Sequence, residues 1–355
     1  MPALAVAGAL RAENAEVTFI GGERAESELV PAAGYPLRKI SVEGLSRTNP
    51  LLAIRAMVRA ARAVGRARSL LKELAPDAVM GGGGYVAGPV GLAAVTLRIP
   101  LVLTEADSHL GLTNRLLART ARAVCLAFPL AGRDGPRYLV TGRPSPPAQE
   151  DRAGARARLG LTEGEACLLV VGGSLGARSI NAAALGAFGG ETPAGNQQID
   201  RPTRVLHVAG RRDYFELAER TLPAGYDLRE YLDAEEFGDA LAAADLVVAR
   251  AGGSVFEIAA SGTPAILIPY PHASADHQTA NARWMADVGA AIVIPDGELS
   301  DLRMAEEVAA LLADRARLTE MASASRRLAR PDAAREVARE LLAAAGVPRG
   351  GVASR

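Results

Sequence analysis

With 355 residues, 49% of them hydrophobic, the chain can fill two cores rather than one. Its 40 basic residues are balanced by 40 acidic ones, so no net charge attracts it to nucleic acid, which is not an expected partner. No apolar run approaches the roughly 20 residues that span a bilayer, and the start lacks a signal-peptide layout, so a soluble or peripheral protein is expected. The two cysteines, Cys125 and Cys167, sit in apolar runs without metal-ligand spacing, as reduced core residues do.

In chain order, Pro2 to Glu13 reads as a helix with proline in its first turn. Strands are expected at Glu16 to Ile20 and at Pro36 to Ser41. The pattern from Asn49 to Leu74 is a long helix that sets Arg55, Arg59, Arg62, Arg66, Arg68 and Lys72 against an apolar stripe. Such a helix can lie on a membrane surface, although more commonly it packs its stripe on a sheet and solvates its charges. Asp77 to Met80 is a short strand, followed by a glycine-rich loop from Gly81 to Pro89 and a helix to about Arg98. In that loop Gly83 and Gly84 allow close backbone approach to a ligand, and Tyr85 follows them directly. The strand Pro100 to Leu103 feeds the polar cluster TEADSHLGLTN, Thr104 to Asn114. The C-terminal ends of α/β strands are where ligands sit. Glu105, Asp107, His109 and Asn114 are therefore candidates for contacts or proton transfer.

After a strand at Ala123 to Phe128, the proline-rich stretch Thr141 to Ala155 reads as a linker. A second βα series then starts with the strand Cys167 to Val171 and the turn GGSLGARSIN, which places Ser174 to meet a phosphate. The turn matches neither GxGxxG nor a P-loop, which disfavours nicotinamide cofactors and ATP. Gly189 to Thr203 reads as a loose insertion. Further strands are expected at Arg204 to Val208, Asp227 to Leu232 and Asp245 to Val248, with a helix from Glu235 to Ala244. Next, Ala251, Gly252, Gly253 and Ser254 open a helix whose N-terminal N–H groups would attract phosphate, with Glu257 one turn on to accept from a ribose diol. Taken alone, an ordinary strand-to-helix turn accounts for these residues better. A helix through Asn281 and Trp284, a strand at Ala290 to Ile294, helices to about Ala345 and a disordered tail complete the chain.

Two βα series, each with a glycine loop facing a linker, resemble the two-domain GT-B glycosyltransferases. The segments GGGGYVAGPVGLAA, LGLTNRLLAR, VVGGSLGARSIN and RAGGSVFEIAASGTPAILIP with DHQTANA are similar to the MurG family, glycosyltransferase family 28, over nearly the whole chain. The resemblance implies an α/β GT-B fold, two Rossmann-like βαβ domains facing a cleft. Residues 1–142 would form the acceptor and membrane-facing domain, with a helix at about 331–346 packing back on it. Residues 143–330 would form the donor domain, and 347–355 a tail. The implied reaction is inverting transfer of N-acetylglucosamine from a UDP-sugar, UDP-N-acetylglucosamine, to undecaprenyl-diphosphate-N-acetylmuramoyl-pentapeptide. It would take place at an anionic membrane surface, on the cytoplasmic face, without metal or other cofactor.

Carried onto this chain, the resemblance implies that Gly173, Ser174 and Gly176 bind the donor diphosphate with Gly253 and Ser254 beside it. Leu232 would meet uracil, Glu257 the ribose, and His277 with Gln278 the sugar hydroxyls. Gly83, Gly84, Tyr85 and Asn114 would line the acceptor side. There are departures too. The family's opening strand and histidine-bearing glycine loop are absent before Pro2, its HEQN is TEAD here, its linker arginine is lost or moved to Arg143, and the turn before Glu257 is about one residue shorter. The gene is accordingly expected to encode roughly 10 to 20 further residues, enough for a strand and a loop. Without that histidine, Asp107, Glu105 and His109 are the candidates for the general base. A related transferase with another acceptor, a UDP-sugar-binding pseudoenzyme and a sugar-nucleotide epimerase remain as alternatives.

Overall fold

The computed structural model describes residues 2–23, 26–40, 50–190 and 202–347, without the side chains of 50–60, 85 and 274. The chain divides into two compact units, Met1–Ser145 with Asp332–Arg355, and Pro146–Pro331.

The first unit contains α1 (Pro2–Ala12), β1 (Phe19–Gly21), α2 (Glu26–Ala32), β2 (Leu37–Lys39), α3 (Pro50–Leu74), β3 (Val79–Gly81), α4 (Gly84–Thr96), β4 (Leu101–Glu105), α5 (Leu112–Leu117), β5 (Ala123–Leu126) and β6 (Tyr138–Val140). Strands β3 to β6 pair in sequence order as a parallel sheet, and β1 pairs with β2 in a separate parallel ladder. A parallel strand covered on both faces needs apolar residues throughout. In β4, Leu101 and Leu103 pack with Leu71, Ala93 and Leu117 on one face. Val102 packs on the other with Val6 of α1 and with Val337 and Leu341.

The second unit contains α6 (Arg152–Arg158), β7 (Ala166–Val171), α7 (Arg178–Phe188), β8 (Thr203–Val208), α8 (Tyr214–Ala218), β9 (Tyr226–Arg229), α9 (Ala234–Ala243), β10 (Leu246–Arg250), α10 (Val255–Ser261), β11 (Ala265–Ile268), α11 (His277–Ala286), β12 (Ala291–Val293), α12 (Asp301–Ala313) and α13 (Arg315–Leu328). Its sheet is parallel throughout, in the order β12-β11-β10-β7-β8-β9. Leu168 and Val170 of β7 alternate onto Ile180, Ala184 and Phe188 of α7 and Met304 and Leu311 of α12. The final helix, α14 (Ala333–Ala344), belongs to the first unit. Both cysteines are free and buried, and burial pushes each thiol up to about 12.

Several boundaries differ from the sequence reading. The glycine-rich loop ends at Gly83, and α4 begins at Gly84 and carries Pro89 inside it. The helix survives the lost N–H because small residues dock it tightly: a Cβ at Gly91 would lie 2.5 Å from the Leu117 side chain. Strand β4 runs on to Glu105, so this carboxylate sits on a strand end rather than in the loop after it. The stretch read as a linker to Ala155 turns helical at Arg152, because Asp151 caps α6 by accepting from Gly154 N at 2.8 Å. Strand β9 stops at Arg229, leaving Leu232 in the connection that follows. Strand β6 and the short helix α5 were not anticipated at all. Residues 191–201 of the expected insertion and 348–355 of the tail lie outside the described residues.

Candidate functional site

In the second unit the chain lays down β7, β8 and β9 in one direction and then crosses back to place β10, β11 and β12 on the other side of β7. The switch falls between β7 and β10, which are paired through Ala249 and Val171 near their C-terminal ends. Ligands of open α/β sheets bind outside such a switch point. Both strands run directly into a glycine turn there, Gly172–Gly176 after β7 and Ala251–Ser254 after β10.

The first turn is tightly held. Gly176 has φ 82, and a Cβ added to it would overlap the Ala209 carbonyl oxygen. Gly176 N donates to Gly173 O at 2.9 Å and Arg211 N to Ser174 O at 3.3 Å, so the loop's carbonyls are engaged by protein. The Ser174 side chain is exposed. No side chain caps the N-terminus of α7, where unsatisfied N–H groups favour an anion. Ser254 likewise leaves α10 without a side-chain cap, but α10 has only 7 residues and so the weaker dipole. Glu257 lies half-buried in its first turn.

The sugar-side candidates fall on α11, where His277 is the first residue and Gln278 the second. Tyr270 N donates to Gln278 Oε1 at 3.0 Å, and Gln278 Nε2 lies 3.9 Å from where a Cβ of Gly252 would stand. The fold thus gathers Gly173, Ser174, Gly176, Gly253, Ser254 and Gln278 along one sheet edge. Leu232 is buried in the connection beyond β9.

Two residues of this region escaped the sequence reading. Arg250 donates to Ile268 O at 3.2 Å, Pro269 O at 3.3 Å and Ser179 Oγ at 2.9 Å, and pairs with Asp296. One guanidinium therefore ties the ends of β10 and β11 to the start of α7. Asn281 is buried, donates to Ala251 O at 3.0 Å, and its Oδ1 has no hydrogen-bond partner among the described residues. Both stand inside the stretch flagged by sequence, but nothing in a lone strand-end arginine or a helical asparagine separates such a role from surface decoration.

The first unit builds a second polar cluster. Glu105, 8% exposed, accepts from Gly111 N at 2.8 Å, Asn114 Nδ2 at 2.9 Å and Asp107 N at 3.3 Å. A carboxylate with both oxygens so engaged organises its loop. Asn114 also donates to Thr104 O at 2.9 Å, and its buried Oδ1 has no partner among the described residues. A Cβ at Gly83 would lie 3.9 Å from Asn114 Nδ2, so the glycine turn adjoins this cluster. Asp107 and His109 are half-buried. Arg143 lies past β6, while the Tyr85 side chain is outside the described residues. On α3, Arg62, Arg66, Arg68 and Lys72 are exposed, and the side chains of Arg55 and Arg59 are outside the description. Among the described residues no helix is long and apolar enough to cross a membrane, and no three His, Cys, Asp or Glu side chains group as metal ligands.

Two α/β units, one with paired glycine turns at its topological switch point, give the chain the architecture of the GT-B class. The chain belongs to glycosyltransferase family 28. Residues 1–126 match the model of the family's N-terminal domain and residues 167–337 that of its C-terminal domain. It is 42% identical to the UDP-N-acetylglucosamine--N-acetylmuramyl-(pentapeptide) pyrophosphoryl-undecaprenol N-acetylglucosamine transferase of Moorella thermoacetica, over 96% of this chain and 94% of that protein. Among solved structures it is similar to Acinetobacter baumannii MurG, with TM-score 0.74, 31% identity, and coverage of 96% of this chain and 95% of that one. A UDP-GlcNAc 2-epimerase from Neisseria meningitidis, covering 96% of this chain and 95% of its own, shares the fold alone, at TM-score 0.63 and 12% identity.

Proposed function

We propose that this chain transfers N-acetylglucosamine from UDP-N-acetylglucosamine to undecaprenyl-diphosphate-N-acetylmuramoyl-pentapeptide. The observation that carries this reading is the pair of glycine turns on adjacent strands β7 and β10, in a chain of which 96% and 97% align with two relatives named for that reaction. The Gly172–Gly176 loop and the start of α7 receive the donor diphosphate, with Gly253 and Ser254 beside it. Glu257 takes the ribose, Leu232 the uracil, and His277 and Gln278 the sugar hydroxyls.

The acceptor hydroxyl attacks the anomeric carbon, the bond to UDP breaks, the configuration inverts, and a base takes the hydroxyl proton. Loop N–H groups held in place before the reaction stabilise the departing diphosphate charge. Of the three candidate bases, Glu105 already spends both oxygens on Gly111, Asn114 and Asp107. Glu105 is therefore assigned to positioning and Asp107 to proton transfer, with His109 as neighbour. Gly83, Gly84, Tyr85, Asn114 and Arg143 belong to the acceptor side. The exposed cations of α3 support a membrane-facing surface on the first unit, which co-sedimentation with anionic vesicles would read out.

Labelled UDP-N-acetylglucosamine is incubated with the lipid-linked acceptor, and UDP binding is followed by calorimetry. Transfer to lipid is expected. Release of free sugar without lipid would make the chain an epimerase, and UDP binding without turnover a pseudoenzyme. Asp107→Asn is expected to lower kcat on the order of a hundredfold, as loss of a general base does, with UDP affinity unchanged. An unaltered kcat would remove Asp107 from that role.

A further inference from the structure

Behind the Gly172–Gly176 loop lies a polar group that the proposed chemistry leaves unused. His207 of β8 is fully buried, 0% exposed. Its Nδ1 is 2.7 Å from the Tyr226 hydroxyl and its Nε2 is 3.0 Å from Asn181 Oδ1. Asn181, the fourth residue of α7 and buried, commits its amide nitrogen twice, to Ala209 O at 3.0 Å and to Asp213 Oδ2 at 3.1 Å. Its Oδ1 can only accept. His207 must therefore carry its proton on Nε2 and accept from Tyr226 at Nδ1, which fixes one tautomer of the ring.

We infer that His207 is a positioning residue for the donor-diphosphate loop, acting through Asn181 and Asp213. The inference rests on the reading of Gly172–Gly176 as that loop. Two routes connect the network to it. Ala209 O, held by Asn181, is the atom against which Gly176 packs with no room for a side chain. Asp213 accepts from Arg212 at 2.7 and 2.8 Å, and Arg212 Nη2 reaches Gly176 O at 3.5 Å. The neighbouring Arg211 N holds Ser174 O. The carbonyls of Ser174 and Gly176 are thereby directed into protein, and the Gly176 N–H closes the turn on Gly173 O, which leaves the other N–H groups at the loop's tip to face an anion.

The network has only one satisfactory arrangement. Were the Asn181 amide to flip, its oxygen would face the Ala209 carbonyl and the Asp213 carboxylate, two acceptors. His207 is what rewards the correct orientation, since among the described residues it alone donates to Oδ1. Removing that donor leaves a buried acceptor unmet and loosens the amide that supports both routes.

The test compares the unaltered chain with His207→Leu and His207→Gln by UDP calorimetry and donor kinetics, well below each variant's melting temperature. Loss of a buried hydrogen bond is worth about tenfold in affinity. His207→Leu is expected to weaken UDP binding about that much and to lower kcat/KM for UDP-N-acetylglucosamine by at least as much, because the loop holds the diphosphate in the ground state and stabilises its departing charge in the transition state. His207→Gln, whose amide can donate to Asn181 and accept from Tyr226, is expected to restore most of the affinity. A merely structural histidine would lower the melting temperature and leave UDP affinity alone, and UDP binding by His207→Leu as tight as the parent's overturns the inference. If His207→Leu does not fold, Tyr226→Phe removes only the hydroxyl that donates to Nδ1 and holds the ring against Asn181; a loss of roughly threefold is expected from this weaker perturbation, and none overturns the inference. Failure of the unaltered chain to bind UDP would instead overturn the diphosphate-loop reading, and this inference with it.

Discussion

Two of the chain's glycine turns, the one after β7 and the one after β3, use glycine for different reasons. In the second unit, Gly172 and Gly176 are crowded: a Cβ on either would collide with backbone, of Ala177 and Ala209 respectively. In the first unit, Gly84 has φ +80 and nothing within 4 Å of where its Cβ would stand, and Gly83 at φ +79 meets only Asn114 Nδ2, at 3.9 Å. At Gly172 and Gly176 the first turn is shaped by the protein packed behind it, with only Gly173, at φ +90, open between them; at Gly83 and Gly84 the second is an unusual backbone conformation beneath open space. The crowded loop is preorganised, as a site for a small charged diphosphate requires. The open one leaves its backbone approachable.

The sharpest way to break this contrast is Gly176→Ala. The added carbon overlaps the Ala209 carbonyl and the residue keeps φ 82, so overpacking and left-handed strain together should cost about 3 kcal/mol or more. Thermal melting should fall by many degrees and UDP binding should be lost. A variant that melts like its parent would show that the loop is not buttressed by Ala209.

The buttress should also titrate. Burial lowers the His207 pKa to about 4, from an ordinary 6.5. The unfolded chain then binds more protons than the folded one between those values, so this contribution is complete above pH 6.5 and is lost as pH falls toward 4. Between pH 6.5 and 5 the loss should be on the order of 2 kcal/mol. The facing groups do not blur the window. Tyr226 is pushed further up by burial, and Asp213 is held below its ordinary 3.8 chiefly by its hydrogen bond from Arg212. Denaturant melts at the two pH values should differ by that amount in the parent and much less in His207→Gln.

Sequence made parts of this legible. Continuous apolar runs such as ACLLVV announce buried parallel strands, and glycines directly after them announce turns at the ligand edge, so the second unit could be read almost strand by strand. What periodicity cannot carry is pairing. The order that sets β7 beside β10, and hence one glycine turn beside the other, is a property of the assembled sheet. Proline misled at Pro89, because the close packing that tolerates it comes from Leu117, far along the chain. Glu105 was read as a candidate for contacts or proton transfer, but its occupation by Gly111 and Asn114 needed the loop to fold back on the strand. Arg250, Asn181 and His207 were passed over for the same reason: their partners lie 18 to 71, 26 to 32, and 19 to 26 positions away in sequence.

A milder change separates the crowded loop's shape from its chemistry. Ser174 is exposed at the tip of that loop, so Ser174→Ala should leave the melting temperature where it is. If its hydroxyl meets the donor phosphate, the KM for UDP-N-acetylglucosamine should rise about tenfold, the worth of a hydrogen bond to a charged group. Equal KM values would confine the loop's role to its backbone.

The smallest expected effect falls on the open turn and says the most about the first unit. Gly84→Ala introduces a methyl group that meets nothing within 4 Å among the described residues, so its cost to folding is that of the positive φ, about 1 kcal/mol. UDP binding, which the proposed function assigns to the other unit, should be unaffected. The KM for the lipid-linked acceptor should rise more than that stability loss explains, because the methyl occupies space that an approaching ligand would use. Acceptor kinetics as good as the parent's would mean that nothing approaches the backbone there, and that the cluster of Gly83, Glu105 and Asn114 serves only to hold its own loop. A selective rise in acceptor KM would show that open backbone and crowded backbone are two solutions to one problem, set by the size of what each must admit.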